Sequence, residues 1–127
     1  MIIDDDKDDR FFFKEALTEM LSSVECLEAN SGIEALELLR KVEQLPNFIF
    51  LDLNMRHMDG RECLKQLKRD DKLKHIPVII YSTSFSEEST NELYKLGASR
   101  FLNKPTDMSK LPAQIYEAIR GPIKLSQ

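Results

Sequence analysis

The stretch Asn47–Leu53, NFIFLDL, places Phe48, Ile49, Phe50 and Leu51 in an unbroken apolar row that ends on Asp52. A row this short is below helical length, and it does not alternate as a half-exposed strand would. Consecutive apolar residues fit a strand covered on both faces, the arrangement of a parallel sheet sandwiched by helices. Pro77–Ser82, PVIIYS, repeats the pattern, with Pro77 at the strand start, where a missing donor is tolerated. These runs call for layers on both sides of the sheet, and the rest of the chain must supply them.

It does so by alternation. MII (residues 1–3) reads as a short first strand, VECLEA (24–29) as a strand nearer an edge, and SRFLN (99–103) as a fifth. Between them lie amphipathic helical patterns. Phe13, Leu17, Met20 and Leu21 share one face of the first. Ser31 and Glu34 have the spacing of a capping box for the second, whose stripe is Ala35, Leu39 and Val42. Asp59–Gly60 opens the third, with Leu64 and Leu67 inward. SEESTNELYKLG is the fourth, closed by Gly97. The fifth spans Asp107 to Arg120, and Pro112 predicts an irregular first turn. Phe11–Phe13 is too wide for one buried face, so Phe13 is assigned to the core and at least one neighbour to the surface. Five strand–helix alternations predict an α/β fold, one parallel sheet with helices on both faces.

Composition narrows the function classes. The 127 residues carry a net charge of −4 and a pI near 5.2, which argues against a direct nucleic-acid partner. Cys26 and Cys63 form neither a disulfide framework nor a zinc motif. No apolar stretch approaches membrane-spanning length and the start lacks the pattern of a signal peptide, so a cytoplasmic location is expected. One domain over residues 1–120 is expected, followed by a C-terminal tail, 121–127.

In a doubly wound sheet, function gathers at the carboxyl ends of the strands. Asp4 and Asp5 follow the first strand, Asp52 ends the third, Ser82 ends the fourth and Lys104 follows the fifth. Acid at such places is also ordinary as a loop or helix-start residue. Converging carboxylates, however, ask for a hard cation such as Mg²⁺. A carboxylate beside that ion can attack phosphorus, and a lysine and a hydroxyl can stabilise the transferred group. No histidine is needed, because the nucleophile is already ionised at neutral pH.

IIDDD, FLDLNM, MDG, PVIIYSTS and GASRFLNKP together resemble the motifs of response-regulator receiver domains, the CheY-like family of two-component signalling. The resemblance runs from about Ile2 to Arg120. It implies a flavodoxin-like sheet of order 2-1-3-4-5. It also implies Asp52 as phosphoacceptor and a Mg²⁺ site from Asp4, Asp5, Asp52 and the backbone carbonyl of Asn54, with Asp6 outside the acidic pair. Ser82 and Lys104 would contact the phosphoryl group, Ser82 and Phe101 would act as switch residues, and Pro105 would be a cis-proline candidate. The implied partners are a sensor histidine kinase or phosphotransfer protein and a downstream protein met through the fourth helix, fifth strand and fifth helix. The implied role is a phosphoacceptor switch, an enzyme at most in self-phosphorylation from small donors and slow self-dephosphorylation.

Several residues depart from the family pattern. The first strand is short, which would fit a chain lacking its natural beginning or a frayed strand. Arg56 stands where MPxMDG members have proline, an expected loosening of that loop. His57 has no family role. Thr83 follows Ser82 where a smaller residue is common, and Phe101 replaces a frequent tyrosine. Two other readings are weaker: a degenerate receiver acting only as an interaction module, and a Mg²⁺-dependent phosphohydrolase. The hydrolase pattern needs a second Asp two positions after the nucleophile, where this chain has Asn54. A phosphate-cradling nucleotide binder is rejected, because the acidic loop after the first strand would repel phosphate.

Overall fold

The computed structural model describes residues 1–83 and 85–120; the tail expected over 121–127 lies outside the described residues. The chain runs β1 (Ile2–Ile3), α1 (Lys7–Met20), β2 (Glu28–Ala29), α2 (Gly32–Lys41), β3 (Ile49–Leu51), α3 (Gly60–Arg69), β4 (Val78–Ser82), α4 (Glu87–Leu96), β5 (Arg100–Asn103), a 3-10 turn (Met108–Lys110) and α5 (Leu111–Arg120). All strand pairs are parallel, in the order β2-β1-β3-β4-β5.

The apolar rows are unbroken because each strand feeds two cores. Ile3, Ile49, Leu51, Val78 and Ile80 face Leu36, Leu39, Leu64, Leu67 and Leu93 from α2, α3 and α4. Ile2, Phe50, Ile79 and Tyr81 face Phe13, Ala16 and Leu17 from α1 and Leu111, Ile115 and Ala118 from α5. Alternate side chains leave opposite faces of a strand, so two covered faces need apolar residues at every position. Phe13 is 1% exposed, whereas Phe11 and Phe12 are 58% and 42% exposed. The wide FFF run therefore does put two rings at the surface.

Local signals set the boundaries. Ser31 Oγ accepts from the Glu34 N–H at 3.1 Å, but the Glu34 carboxylate accepts from the N–H of Asn30 and not from that of Ser31. Asp6 caps α1, accepting from the N–H groups of Asp8 and Asp9. Gly97 closes α4 at φ 111°, the left-handed conformation that favours glycine. The fifth helical segment begins as the 3-10 turn two residues ahead of Pro112 in α5, the irregular first turn its sequence implied. The strands are shorter than their sequence runs: β3 covers only Ile49–Leu51 of the run 47–53, β2 pairs only at Glu28–Ala29, β1 only at Ile2–Ile3, and β4 and β5 each start one residue late. Among the described residues, no helix is long and apolar enough to cross a membrane.

Candidate acidic phosphoacceptor and metal site

Parallel register brings the strand ends together. Ile3 pairs with Leu51, and one step further the Asp52 N–H donates to Ile3 O at 2.9 Å while the Asp4 N–H donates to Ala29 O at 3.1 Å. On the other side Ser82 pairs with Asn103, and the Lys104 N–H donates to Ser82 O at 2.7 Å. Asp4, Asp52 and Lys104 continue the alternation of Ile2, Phe50 and Leu102, so all three lean toward the side of the sheet covered by α1 and α5. Lys104 Nζ lies 5.3 Å from the ring centre of Tyr81, the apolar neighbour on that face.

Carboxylate oxygens of Asp4, Asp5 and Asp52 lie within 4.8 Å of one another. Asp4 is fully buried and Asp52 is 5% exposed. Lys104 Nζ donates to Asp4 Oδ2 at 2.7 Å and to Asp9 Oδ2 at 2.8 Å, and stands 3.7 Å from Asp52 Oδ2. The Asp6 N–H donates to Asp4 Oδ1 at 2.9 Å, and the Asn54 N–H to Asp52 Oδ1 at 3.4 Å. Arg10 fixes the β1–α1 loop from behind, its guanidinium donating to Asp4 O and to Glu28. At the end of β4, the buried Ser82 Oγ has no hydrogen-bond partner among the described residues. A buried hydroxyl without a partner is costly, and at this rim it leaves a donor for an incoming oxygen.

The electrostatics follow from burial. Desolvation raises the Asp4 carboxyl to about 6, against the opposing hydrogen bond from Lys104. Desolvation also raises Asp52, again opposed by the Lys104 charge. Burial works against the Lys104 ammonium, but its hydrogen bonds to Asp4 and Asp9 outweigh it and hold the group above its ordinary value. Four carboxylates around one ammonium leave the site strongly negative. An all-oxygen donor set with that excess charge fits a hard divalent ion, and Asp4, Asp5 and Asp52 are the side chains that could hold it.

The chain after β3 returns tightly to the site. The Gly60 N–H donates to Leu53 O, and a Cβ on Gly60 would stand 2.6 Å from Asp52 O. Only a residue without a side chain lets α3 start there. The Arg56 N–H donates to Asp5 Oδ2 at 3.2 Å. The expected loosening is thus corrected: a non-proline residue supplies a donor that ties this loop to Asp5. Thr83 is exposed, and Phe101 is half-buried between Phe85 and Tyr94, in edge contacts of 5.2 and 4.7 Å. The cis expectation for Pro105 is also corrected. The Lys104–Pro105 bond is trans, the lower-energy isomer, and in that form both Lys104 nitrogens already reach their partners.

Sequence reasoning missed Asp9 and Tyr81. Asp9 occupies the first turn of α1, where acid is ordinary. The overlooked signal is helical phase: Asp9, Phe13 and Leu17 are spaced four residues apart, which puts an acid on the buried stripe.

Comparison with known proteins gives one consistent picture. Residues 1–116 match the family model described as "Response regulator receiver domain". Response regulator Rcp1 of Synechocystis sp. is 30% identical over 116 residues, covering 87% of this chain and 79% of that protein. Among solved structures, the phosphorylated cyanobacterial phytochrome response regulator RcpA superposes with a TM-score of 0.83 at 30% identity, over 96% of this chain and 94% of that one. The Mn²⁺-bound form of response regulator Rcp1 superposes with a TM-score of 0.75 at 27% identity, over 97% and 96% of the two chains.

Proposed function

This chain belongs to the response regulator receiver family of two-component signalling, and from that premise we propose that it is a phosphoacceptor switch whose acceptor is Asp52. One observation carries the reading: Asp52 stands in a cluster with the Asp4 and Asp5 carboxylates, a set that could hold a cation, and 3.7 Å from a lysine that it does not hydrogen-bond.

Asp4, Asp5, Asp52 and the Asn54 carbonyl would hold Mg²⁺, which when bound neutralises the acids and draws charge from the transferring phosphoryl oxygens. That a relative binds Mn²⁺ supports a divalent ion here. An Asp52 carboxylate oxygen attacks phosphorus, forming an aspartyl O–P bond. The bond from phosphorus to the donor breaks, and a departing imidazole of a histidine kinase or phosphotransfer protein keeps the electron pair. Lys104 offers an N–H to one phosphoryl oxygen, and the unpartnered Ser82 hydroxyl offers its proton to another. Movement of Ser82 toward that oxygen would vacate space for Phe101 to turn inward. The change would then be read on α4, β5 and α5. A groove lined by Tyr94, Phe101, Leu102 and Gln114 supports that surface as the one a downstream protein meets. The reading includes slow self-dephosphorylation and a cytoplasmic setting.

Incubation with Mg²⁺ and acetyl phosphate tests the proposal. Intact-mass analysis is expected to find a gain of one phosphoryl group that Asp52→Asn abolishes. No gain in the wild type, with the fold intact, would favour a receiver that only binds partners.

A further inference from the structure

Resting on the phosphoacceptor reading, we propose that Asp9 is a positioning residue for Lys104, holding the ammonium against the α1 side while the divalent ion takes Asp4. Asp9 is a half-buried acid, its side chain 27% exposed: it shares the helical face of Phe13 and Leu17 on α1, and its Oδ2 meets Lys104 Nζ at 2.8 Å. The Lys104 side chain is 9% exposed, so its charge is met by protein rather than by water.

An ammonium has three N–H donors. One goes to Asp4 and one to Asp9, leaving the third for the direction of Asp52, 3.7 Å away. That gap is too long for a hydrogen bond, and the oxygens of a phosphoryl group on Asp52 would shorten it. Asp4 has two claims on it. It is the acid closest to Lys104, and it belongs to the three-carboxylate cluster. Asp9 is outside that cluster. Both Asp4 oxygens are already engaged, Oδ1 by the Asp6 N–H and Oδ2 by Lys104, so an ion that draws on Asp4 weakens one of the two anchors of Lys104 at the moment its third donor is needed. Asp9 is the anchor that the ion does not touch. The Tyr81 ring beside Lys104 bounds the same position from the sheet.

The probe is beryllium trifluoride, a tetrahedral mimic of a phosphoryl group, titrated at saturating Mg²⁺ and followed by fluorine NMR. Mg²⁺ alone is titrated calorimetrically in parallel. Loss of one charge-assisted anchor is expected to weaken beryllofluoride binding about tenfold in Asp9→Asn. Asp8→Asn removes the same charge one residue away, from an exposed side chain, and is expected to stay within about twofold of wild type. In a Lys104→Met background, Asp9→Asn is expected to add nothing, because its effect runs through the lysine. Equal losses in Asp8→Asn and Asp9→Asn would reduce the effect to net charge and overturn the proposal. Tighter binding by Asp9→Asn would overturn it too, since Asp9 would then be a competitor for Lys104. In the metal-free proteins, urea midpoints are expected to be non-additive for Asp9→Asn and Lys104→Met; additivity would mean the two do not act together. A wild type that binds Mg²⁺ but no beryllofluoride would sink the phosphoacceptor reading itself, whereas a binding wild type matched by Asp9→Asn would sink only the role of Asp9.

Discussion

Asp5→Asn is expected to move the protein in opposite directions with and without the ion. Asp5 is partly exposed, its carboxylate lies within 4.8 Å of those of Asp4 and Asp52, and its contact with the Arg56 N–H is one that an amide oxygen can keep. At that separation two unit charges repel by about 3.5 kcal/mol at an effective dielectric of 20, and by about 0.9 kcal/mol in bulk water. Solvent at Asp5 pulls the figure toward the lower end. Metal-free Asp5→Asn should therefore gain roughly 1 kcal/mol, or roughly 4 °C in Tm for a domain of this size. With Mg²⁺ the sign reverses. An ion at 100 times its Kd stabilises by about 2.7 kcal/mol, and a tenfold weaker site forfeits about 1.3 kcal/mol of that, a net loss of roughly 0.3 kcal/mol against the wild type. Melting curves with and without Mg²⁺, beside a calorimetric Kd, measure both halves. A lower metal-free Tm would mean that Asp5 stabilises the loop as an ordinary turn residue. An unchanged Mg²⁺ shift would mean that Asp5 is no ligand. Either result refutes the cation-socket reasoning.

Two further outcomes follow from the same geometry. Gly60→Ala forces a Cβ to within 2.6 Å of the Asp52 carbonyl oxygen, and is expected to cost at least about 1–3 kcal/mol, the scale of overpacking, read as a lower urea midpoint; a neutral result would mean the β3–α3 loop can shift without disturbing Asp52. For pH, the folded Asp4 holds its proton up to about 6, against an ordinary value of 3.8, so the folded protein binds a proton that the unfolded chain has released. Metal-free stability relative to an Asp4→Asn variant should then fall as pH rises from about 4 to 6, by up to about 3 kcal/mol, and stay level above that. Urea titrations across that window check the sign; a rise would mean that Lys104 outweighs burial at Asp4.

Much of this was legible because the fold writes itself into a pattern of two. Phe48–Leu51 and Val78–Tyr81 had to be covered on both faces; Asp52 and Ser82 stand where those rows stop, and Asp4 and Lys104 where the first and fifth strand runs stop. What was not legible depended on relations between elements. Sequence places Asp9 in a helix's first turn, where the macrodipole accounts for an acid and nothing prompts a search for a partner. Only the packing of α1 on the sheet, fixed by Phe13 against Phe50 and Tyr81, brings that acid to a lysine 95 residues away. The N–H of Arg56 was hidden for a similar reason: replacing proline both frees the loop and adds a donor, and only the fold shows that Asp5, 51 residues away, accepts from it. The short β2 reflects an edge, where Val24–Leu27 have the composition of a strand but pair at only two later residues.

The same division explains the charge balance of the rim. Strand register delivers Asp4, Asp52 and Lys104 to one side at a fixed spacing, and loop geometry adds Asp5. These contributions alone would set three acids against one base. Asp9 makes it four, and it does so from the helix that shields the site, next to the base rather than next to the acids. A fold seeking only neutrality would have placed a cation there. Placing a carboxylate there deepens the deficit that a divalent ion would fill, and it gives Lys104 a partner outside the three-carboxylate cluster. Hydrophobic burial on the two faces of the sheet supplies the stability that lets the rim remain under-neutralised, the imbalance on which the proposed phosphoacceptor role of Asp52 would draw.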